Sequence, residues 1–175
     1  MALTAVEQSK LDDLLLIQFQ QAPVPFAETL FTYWPMDQLK EPNTNLFTAF
    51  MEFRNPELKV AFPRILPDGS GMEAVFTDEH TEFNKSAFGV FEPVTGERAD
   101  PLHLDIIFVP LLAVDRNGFR IGYGKGYYDR YLPACNPDCL KIGFSYFEPM
   151  DEIPEKHEFD VPLNLCMTPQ SIYVF

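Results

Sequence analysis

Residues 115–131 read DRNGFRIGYGKGYYDRY, and this stretch concentrates the side chains best suited to chemistry. Arg116, Arg120, Lys125 and Arg130 outnumber Asp115 and Asp129 there, in a chain whose formal net charge is -13. Gly122, Gly124 and Gly126 alternate through it. Glycines let backbone N–H groups approach an anion closely and take positive φ, and a helix that follows offers unpaired N–H groups at its start. With Arg120 and Lys125 inside the loop, phosphate oxygens could be held by backbone and side chains together. The spacing matches neither standard cradle: it lacks the Gly-Lys-Ser/Thr ending of a P-loop and the last glycine interval of the dinucleotide fingerprint. Glycine alternation alone fits a flexible surface loop equally well; the basic residues and the paired Tyr127 and Tyr128 favour a phosphate cradle. On this reading Arg120 and Lys125 are exposed loop cations, and replacing either leaves the fold nearly intact.

The elements around the loop must position it. Ile106, Ile107, Phe108 and Val109, bounded by Asp105 and Pro110, form an apolar run too short for a helix and suited to a buried strand. Asn117-Gly118 marks a turn, and a helix is expected from about Gly126 to Tyr131, ending before Pro133. Upstream, Thr4 to Gln21 reads as a helix, with a capping box from Thr4 and Glu7 and an apolar spacing through Leu11, Leu14 and Leu15, stopped by Pro23 and Pro25. Thr29 to Trp34 reads as a strand, Thr44 to Phe53 as a helix through Leu46, Phe47, Phe50 and Met51, and Leu58 to Phe62 as a strand closed by Pro63. That order is a β-α-β unit, which builds parallel sheets. Met72 to Phe76 suits a further strand. Residues 77–104 are expected to be mostly loop, with one short element near Phe88 to Phe91. Lys141 to Tyr146 gives the next strand, Glu148 to Pro162 a proline- and acid-rich loop, and Ser171 to Phe175 a last strand. Strands alternating with helices indicate an α/β fold.

With 175 residues and 46% hydrophobic content, the chain fits one domain, 1–175, with a real core. Its acidity argues against nucleic acid as a partner, because that affinity leans on many Lys and Arg contacts with phosphate. Cys135, Cys139 and Cys166 are odd in number and lack metal-site spacing, so reduced thiols are expected. The N-terminus has no basic leader with an apolar core, and no run is long enough to span a bilayer. A cytoplasmic protein acting on small molecules, as a monomer or weak homodimer, is the expectation.

The run VPLLAVDRNGFRIGYGKGYYDRYL, residues 109–132, closely resembles the signature of the 5-formyltetrahydrofolate cyclo-ligase family, also called methenyltetrahydrofolate synthetases. Weaker likenesses follow in order at VAFPRI (60–65), FGVFEP (88–93) and IGFSYFEPMDEIPEKHEFDVPLN (142–164). The resemblance implies a Rossmann-like three-layer α/β domain with a mostly parallel sheet. It also implies ATP-dependent, Mg²⁺-dependent cyclisation of 5-formyltetrahydrofolate to 5,10-methenyltetrahydrofolate, releasing ADP and phosphate. Arg120, Lys125 and Tyr128 would then be the catalytic groups, and Arg120, Gly122, Tyr123, Gly124, Lys125, Gly126, Tyr127 and Tyr128 would hold ATP. Tyr127 and Tyr128 would also line the folate pocket, with core packing the competing reading, and Glu41 would grip the donor nitrogens of the pterin, with a surface-loop acid as the alternative. Asp129 and Asp160 would hold Mg²⁺; a carboxylate compensating a helix start is the plainer reading of Asp129. His157 is expected to be exposed. Family members begin with a basic helix that reaches the phosphates, and this chain is expected to start after it. That departure keeps a second reading open, a non-catalytic folate or nucleotide binder, beside a phosphoryl-handling enzyme on a similar fold.

Overall fold

The apolar run at 106–109 becomes the middle of the protein. In the computed structural model, which describes residues 3–86, 89–154 and 160–175, the elements follow in order. They are α1 (Ala5–Gln21), β1 (Thr29–Phe31), α2 (Thr44–Arg54), β2 (Lys59–Ile65), β3 (Met72–Thr77), β4 (Phe83–Lys85), β5 (Phe91–Pro93), β6 (Ile106–Phe108), β7 (Ala113–Val114), β8 (Arg120–Ile121), α3 (Tyr127–Tyr131), β9 (Leu140–Phe144), β10 (Leu165–Met167) and β11 (Ile172–Val174). One sheet has the order β11-β10-β9-β6-β1-β2-β3, with β6 at its centre. Its five inner strands are parallel, and antiparallel β3 and β11 form the edges.

Alternation along β6 sorts two apolar layers. Ile106 and Phe108 point to one face, where Leu15 and Phe19 of α1 and Phe47 and Met51 of α2 cover the sheet. Phe47 stacks on Phe144 of β9 at 4.0 Å between ring centroids. Ile107 and Val109 point to the other, under Tyr131, Leu132, Cys135 and Cys139 of α3 and the turns after it. The result is the expected three-layer α/β domain, with a thin third layer: α3 has five residues, too few to give its N-terminus a full helix dipole.

Thr4 and Glu7 form the capping box, with Glu7 N–H donating to Thr4 Oγ1 at 3.2 Å and Thr4 N–H to Glu7 Oε2 at 2.9 Å. The buried stripe of α1 is Asp12, Leu15 and Phe19, so Leu14, expected inside, is exposed. The β1-α2-β2 unit is parallel as expected. β1 is shorter than expected, ending at Phe31 opposite Ala61. β2, expected to close at Pro63, runs through it, with Pro63 facing Ala74 of β3. Beyond Ala61 the strand has a sheet neighbour on one side only, so the missing proline N–H costs no ladder bond. Residues 77–104, expected to be mostly loop, hold the β4-β5 hairpin; Phe88, like His157, lies outside the described residues. β10 was not expected at all. It is a fully buried Leu-Cys-Met between β9 and β11. The three cysteines are free and buried, and burial pushes their thiols up, Cys135 to about 11 and Cys139 and Cys166 to about 12. No helix among the described residues is long and apolar enough to cross a membrane.

Candidate functional site

The chain order of the sheet reverses between β1 and β6: from β1 it steps to β2, and from β6 it steps the other way to β9 and β10. In open α/β sheets the connections leaving the carboxyl ends of such a strand pair diverge and leave a crevice. Here the two connections are residues 32–43 after β1 and residues 109–126 after β6. Between them lies a cavity of about 860 Å³. Glu41, Arg120, Gly122, Tyr123, Gly124, Lys125, Gly126, Tyr127, Tyr128, Asp129 and Asp160 all line it. Every residue singled out from the sequence as a candidate thus faces one space, although Glu41 and Asp160 come from opposite ends of the chain.

A local scaffold aims the glycine loop. Asp115 Oδ1 accepts from Asn117 N–H at 2.9 Å and Phe119 N–H at 3.0 Å, which folds the Asn117-Gly118 turn and pairs β7 with β8. Its Oδ2 accepts from Ile153 N–H at 3.2 Å, tying that hairpin to the acid-rich segment that precedes Asp160. The chain then passes Gly124 (φ 77) and Gly126 (φ 65), both left-handed, and turns into α3. Gly122 is different. It has no positive φ, and a Cβ there would meet no atom of the described residues within 4 Å. Nothing among the described residues requires glycine at that position, and a Cβ would protrude into space that a close-lying ligand could use.

The structure revises the expectation for Arg120. Its side chain is only 4% exposed, not a loose loop cation. Nη2 donates to Asp129 Oδ1 at 2.7 Å and Nη1 to the Val161 carbonyl at 2.9 Å, so it bridges the start of α3 and the C-terminal segment beside Asp160. Asp129 is a third exposed; its carboxylate answers a specific guanidinium rather than the weak dipole of a one-turn helix. Lys125 is exposed at the cavity. Among the described residues no three His, Cys, Asp or Glu side chains converge as a metal cluster. Of the four carboxylates that line the cavity, Asp129 and Asp160 are the pair at the glycine-loop side, a donor set that suits an ion keeping waters and substrate phosphates in its shell, as Mg²⁺ does.

Glu41, weighed as a surface acid, is 4% exposed. Its carboxylate accepts from Met36 N–H at 2.6 Å and from the Tyr123 hydroxyl. Burial raises its pKa, against the lowering effect of those two bonds. Tyr128 both packs and lines the cavity: it stacks on Phe31 at 6.0 Å, and its buried hydroxyl finds no hydrogen-bond partner among the described residues. Burial raises its pKa, so at neutral pH it is a donor. Tyr127 lies under the Arg130 guanidinium at 5.1 Å. Trp34 and Glu92 are among the cavity residues that sequence reasoning missed. Trp34, expected in a strand, stands beyond β1 on Phe62 at 5.5 Å, and its buried indole N–H, like Oε1 of Glu92, has no hydrogen-bond partner among the described residues. The only signal for Trp34 was the Pro35 that follows it.

A mostly parallel α/β sheet with a basic glycine loop and several carboxylates at its switch point defines an enzyme of the Rossmann-like class. The sequence profile of the 5-formyltetrahydrofolate cyclo-ligase family matches residues 14–169, and the chain belongs to that family. It is 29% identical to the 5-formyltetrahydrofolate cyclo-ligase of Mycoplasma pneumoniae over 95% of this chain and 90% of the relative. It is likewise 29% identical to that of Haemophilus influenzae, over 92% and 87%. A solved structure of 5,10-methenyltetrahydrofolate synthetase from Aquifex aeolicus superposes with a TM-score of 0.78 at 27% identity, covering 98% of this chain and 84% of that one.

Proposed function

We propose that the protein catalyses the ATP- and Mg²⁺-dependent cyclisation of 5-formyltetrahydrofolate to 5,10-methenyltetrahydrofolate, with release of ADP and phosphate. One observation carries the reading: Glu41, the glycine loop with Lys125, Asp129 and Asp160 share one cavity at the switch point. Family membership supports the same reaction.

A formamide oxygen is a very poor leaving group, and the reaction solves this with ATP. The formyl oxygen attacks the γ-phosphorus and the bond to ADP breaks. N10 then attacks the formyl carbon, loses its proton, and the former formyl oxygen departs within inorganic phosphate. Little of this needs a protein nucleophile; positioning and charge neutralisation dominate. Glu41, held by Met36 N–H, presents a carboxylate that can accept paired N–H groups from the aminopyrimidine edge of the pterin. Lys125 and the loop N–H groups around Gly122 receive the phosphates. Arg120 works from below, fixing Asp129. Tyr128, a donor with no partner among the described residues, is placed to donate to a ligand oxygen. Asp129 and Asp160 would hold Mg²⁺, which supplies neutralisation of the charge on the transferred phosphoryl group.

The test is direct. Protein mixed with 5-formyltetrahydrofolate, ATP and Mg²⁺ should generate the absorbance of the methenyl product, with ADP in equal amount. ADP formed without the methenyl product, or no product at any Mg²⁺ concentration, would refute the assignment.

A further inference from the structure

Glu41 lies in the connection 32–43, between β1 and α2, just after a single 3-10 turn at Asp37–Leu39. The residue before it, Lys40, sits at φ 55, the only non-glycine in the left-handed region among the described residues. Such a conformation is unfavourable for a residue with a side chain and persists only where its surroundings over-determine it. The surroundings here come from α1 and from the end of β9. Gln8 Nε2 donates to the Glu41 carbonyl at 3.1 Å, and the Tyr146 hydroxyl lies 3.3 Å from the same oxygen. Asp12 closes the arrangement. Its Oδ1 accepts from the Asn43 N–H at 3.0 Å and from the Tyr146 hydroxyl at 2.6 Å.

Asp12 is otherwise hard to explain. It is 6% exposed, at the N-terminal end of the buried stripe of α1, where a carboxylate carries the cost of a buried charge. No salt-bridge partner meets it among the described residues, so the hydrogen bonds to Asn43 and Tyr146 are what retain it. Both of those groups flank Glu41.

We infer that Asp12, with Gln8 and Tyr146, is a positioning device for Glu41, locking the strained Lys40–Glu41 peptide so that the carboxylate meets the aminopyrimidine edge of a reduced folate. This rests on the functional reading above and deepens it: recognition of the pterin is set by α1, from outside the cavity. Asp12 does not line the cavity, and its effect falls first on the folate, reaching the glycine loop through the Tyr123 hydroxyl that Glu41 accepts from. ATP meets the glycine loop and the carboxylates Asp129 and Asp160, which are carried by other segments.

The experiment is calorimetric titration of 5-formyltetrahydrofolate, and separately of ATP with Mg²⁺, into wild type, Asp12→Ala, Asp12→Asn and Tyr146→Phe, with steady-state kinetics beside it. Losing the charged acceptor that holds Asn43 and Tyr146 corresponds to a rise of roughly tenfold in the folate Kd and KM for Asp12→Ala. kcat at saturating folate and the ATP constants should stay within about twofold of wild type, since Lys125, Asp129 and Asp160 are carried by segments that, among the described residues, make no bond to Asp12. Asp12→Asn keeps an acceptor for Asn43 N–H and should recover most of the affinity. Tyr146→Phe should move the folate constant in the same direction, and it supplies the answer if Asp12→Ala does not fold. Folate affinity unchanged in both Asp12→Ala and Tyr146→Phe overturns the clamp, as does an equal loss for folate and ATP, which marks a merely structural role. Wild type that binds ATP but not the folate overturns the functional reading instead, and the inference with it.

Discussion

Arg120→Met is the substitution whose outcome the sequence and the structure forecast differently. As an exposed loop cation, Arg120 would be dispensable for folding. In the structure its guanidinium is almost fully buried and makes two bonds, at 2.7 Å to Asp129 and 2.9 Å to the Val161 carbonyl. Breaking a fully buried pair costs about 3–5 kcal/mol. Asp129 is a third exposed, so water recovers part of its solvation and the ion-pair share must be discounted. Adding one charge-assisted bond to a carbonyl gives about 2–3 kcal/mol in all. For a domain of this size that lowers Tm by about 5–10 °C. Scanning calorimetry of Arg120→Met, Asp129→Asn and the double variant measures it, and the double-mutant cycle should return a coupling of about 1 kcal/mol or more. Lys125→Ala is the control: exposed, it should leave Tm within about 2 °C while raising the ATP requirement. A Tm for Arg120→Met within about 2 °C of wild type, or a cycle with no coupling, would refute the view of Arg120 as the bolt between α3 and the C-terminal segment.

Two further outcomes follow from the same geometry. Gly122→Ala meets no atom of the described residues and no backbone strain, so it should fold like wild type yet bind ATP several-fold more weakly; Gly124→Ala, at φ 77, should instead lose about 1 kcal/mol of stability, and equal ATP affinity in Gly122→Ala and wild type would remove the cradle. Burial raises the Glu41 pKa above its ordinary 4.5, so the native state holds that proton more tightly than the unfolded chain, and the contribution to stability is greatest below 4.5 and is lost as pH rises through the raised value. Denaturant unfolding should therefore show Glu41→Gln gaining on wild type as pH climbs from below 4.5 and then levelling off, whereas a difference that stays flat with pH would contradict the raised value.

Elements with strong local signals were legible in the chain. The capping box of α1, the spacing of α2 and the apolar run of β6 are each settled within a few residues of sequence, and the structure keeps all three. What was misread depends on neighbours. Leu14 and Asp12 are two positions apart, on opposite sides of α1, and apolar periodicity assigns the leucine inward; it is Asp12 that is buried, in hydrogen bonds with Asn43 and Tyr146. Pro63 ends a strand only if that strand is paired on both sides, and β1 stops too early for that. β10 has three residues, below the length at which any period can be counted, and owes its existence to the slot between β9 and β11.

The candidate site divides along the same line. Residues contiguous in the glycine loop could be read as one unit because a single turn-rich segment delivers them. Glu41 and Asp160 came with a resemblance rather than with spacing, since the chain separation between them says nothing about convergence. Convergence comes from topology: placing β6 beside β1, and not beyond β3, brings the carboxyl ends of two strands distant in sequence under one cavity. Trp34 and Glu92 then enter its wall without any motif of their own. The clamp on Glu41 extends this outward, because the hydrogen bonds that fix it come from α1 and from Tyr146, over a hundred positions later in the chain. In such a fold the groups that touch a ligand are found by their chemistry. Those that aim them are found only once the strand order is known.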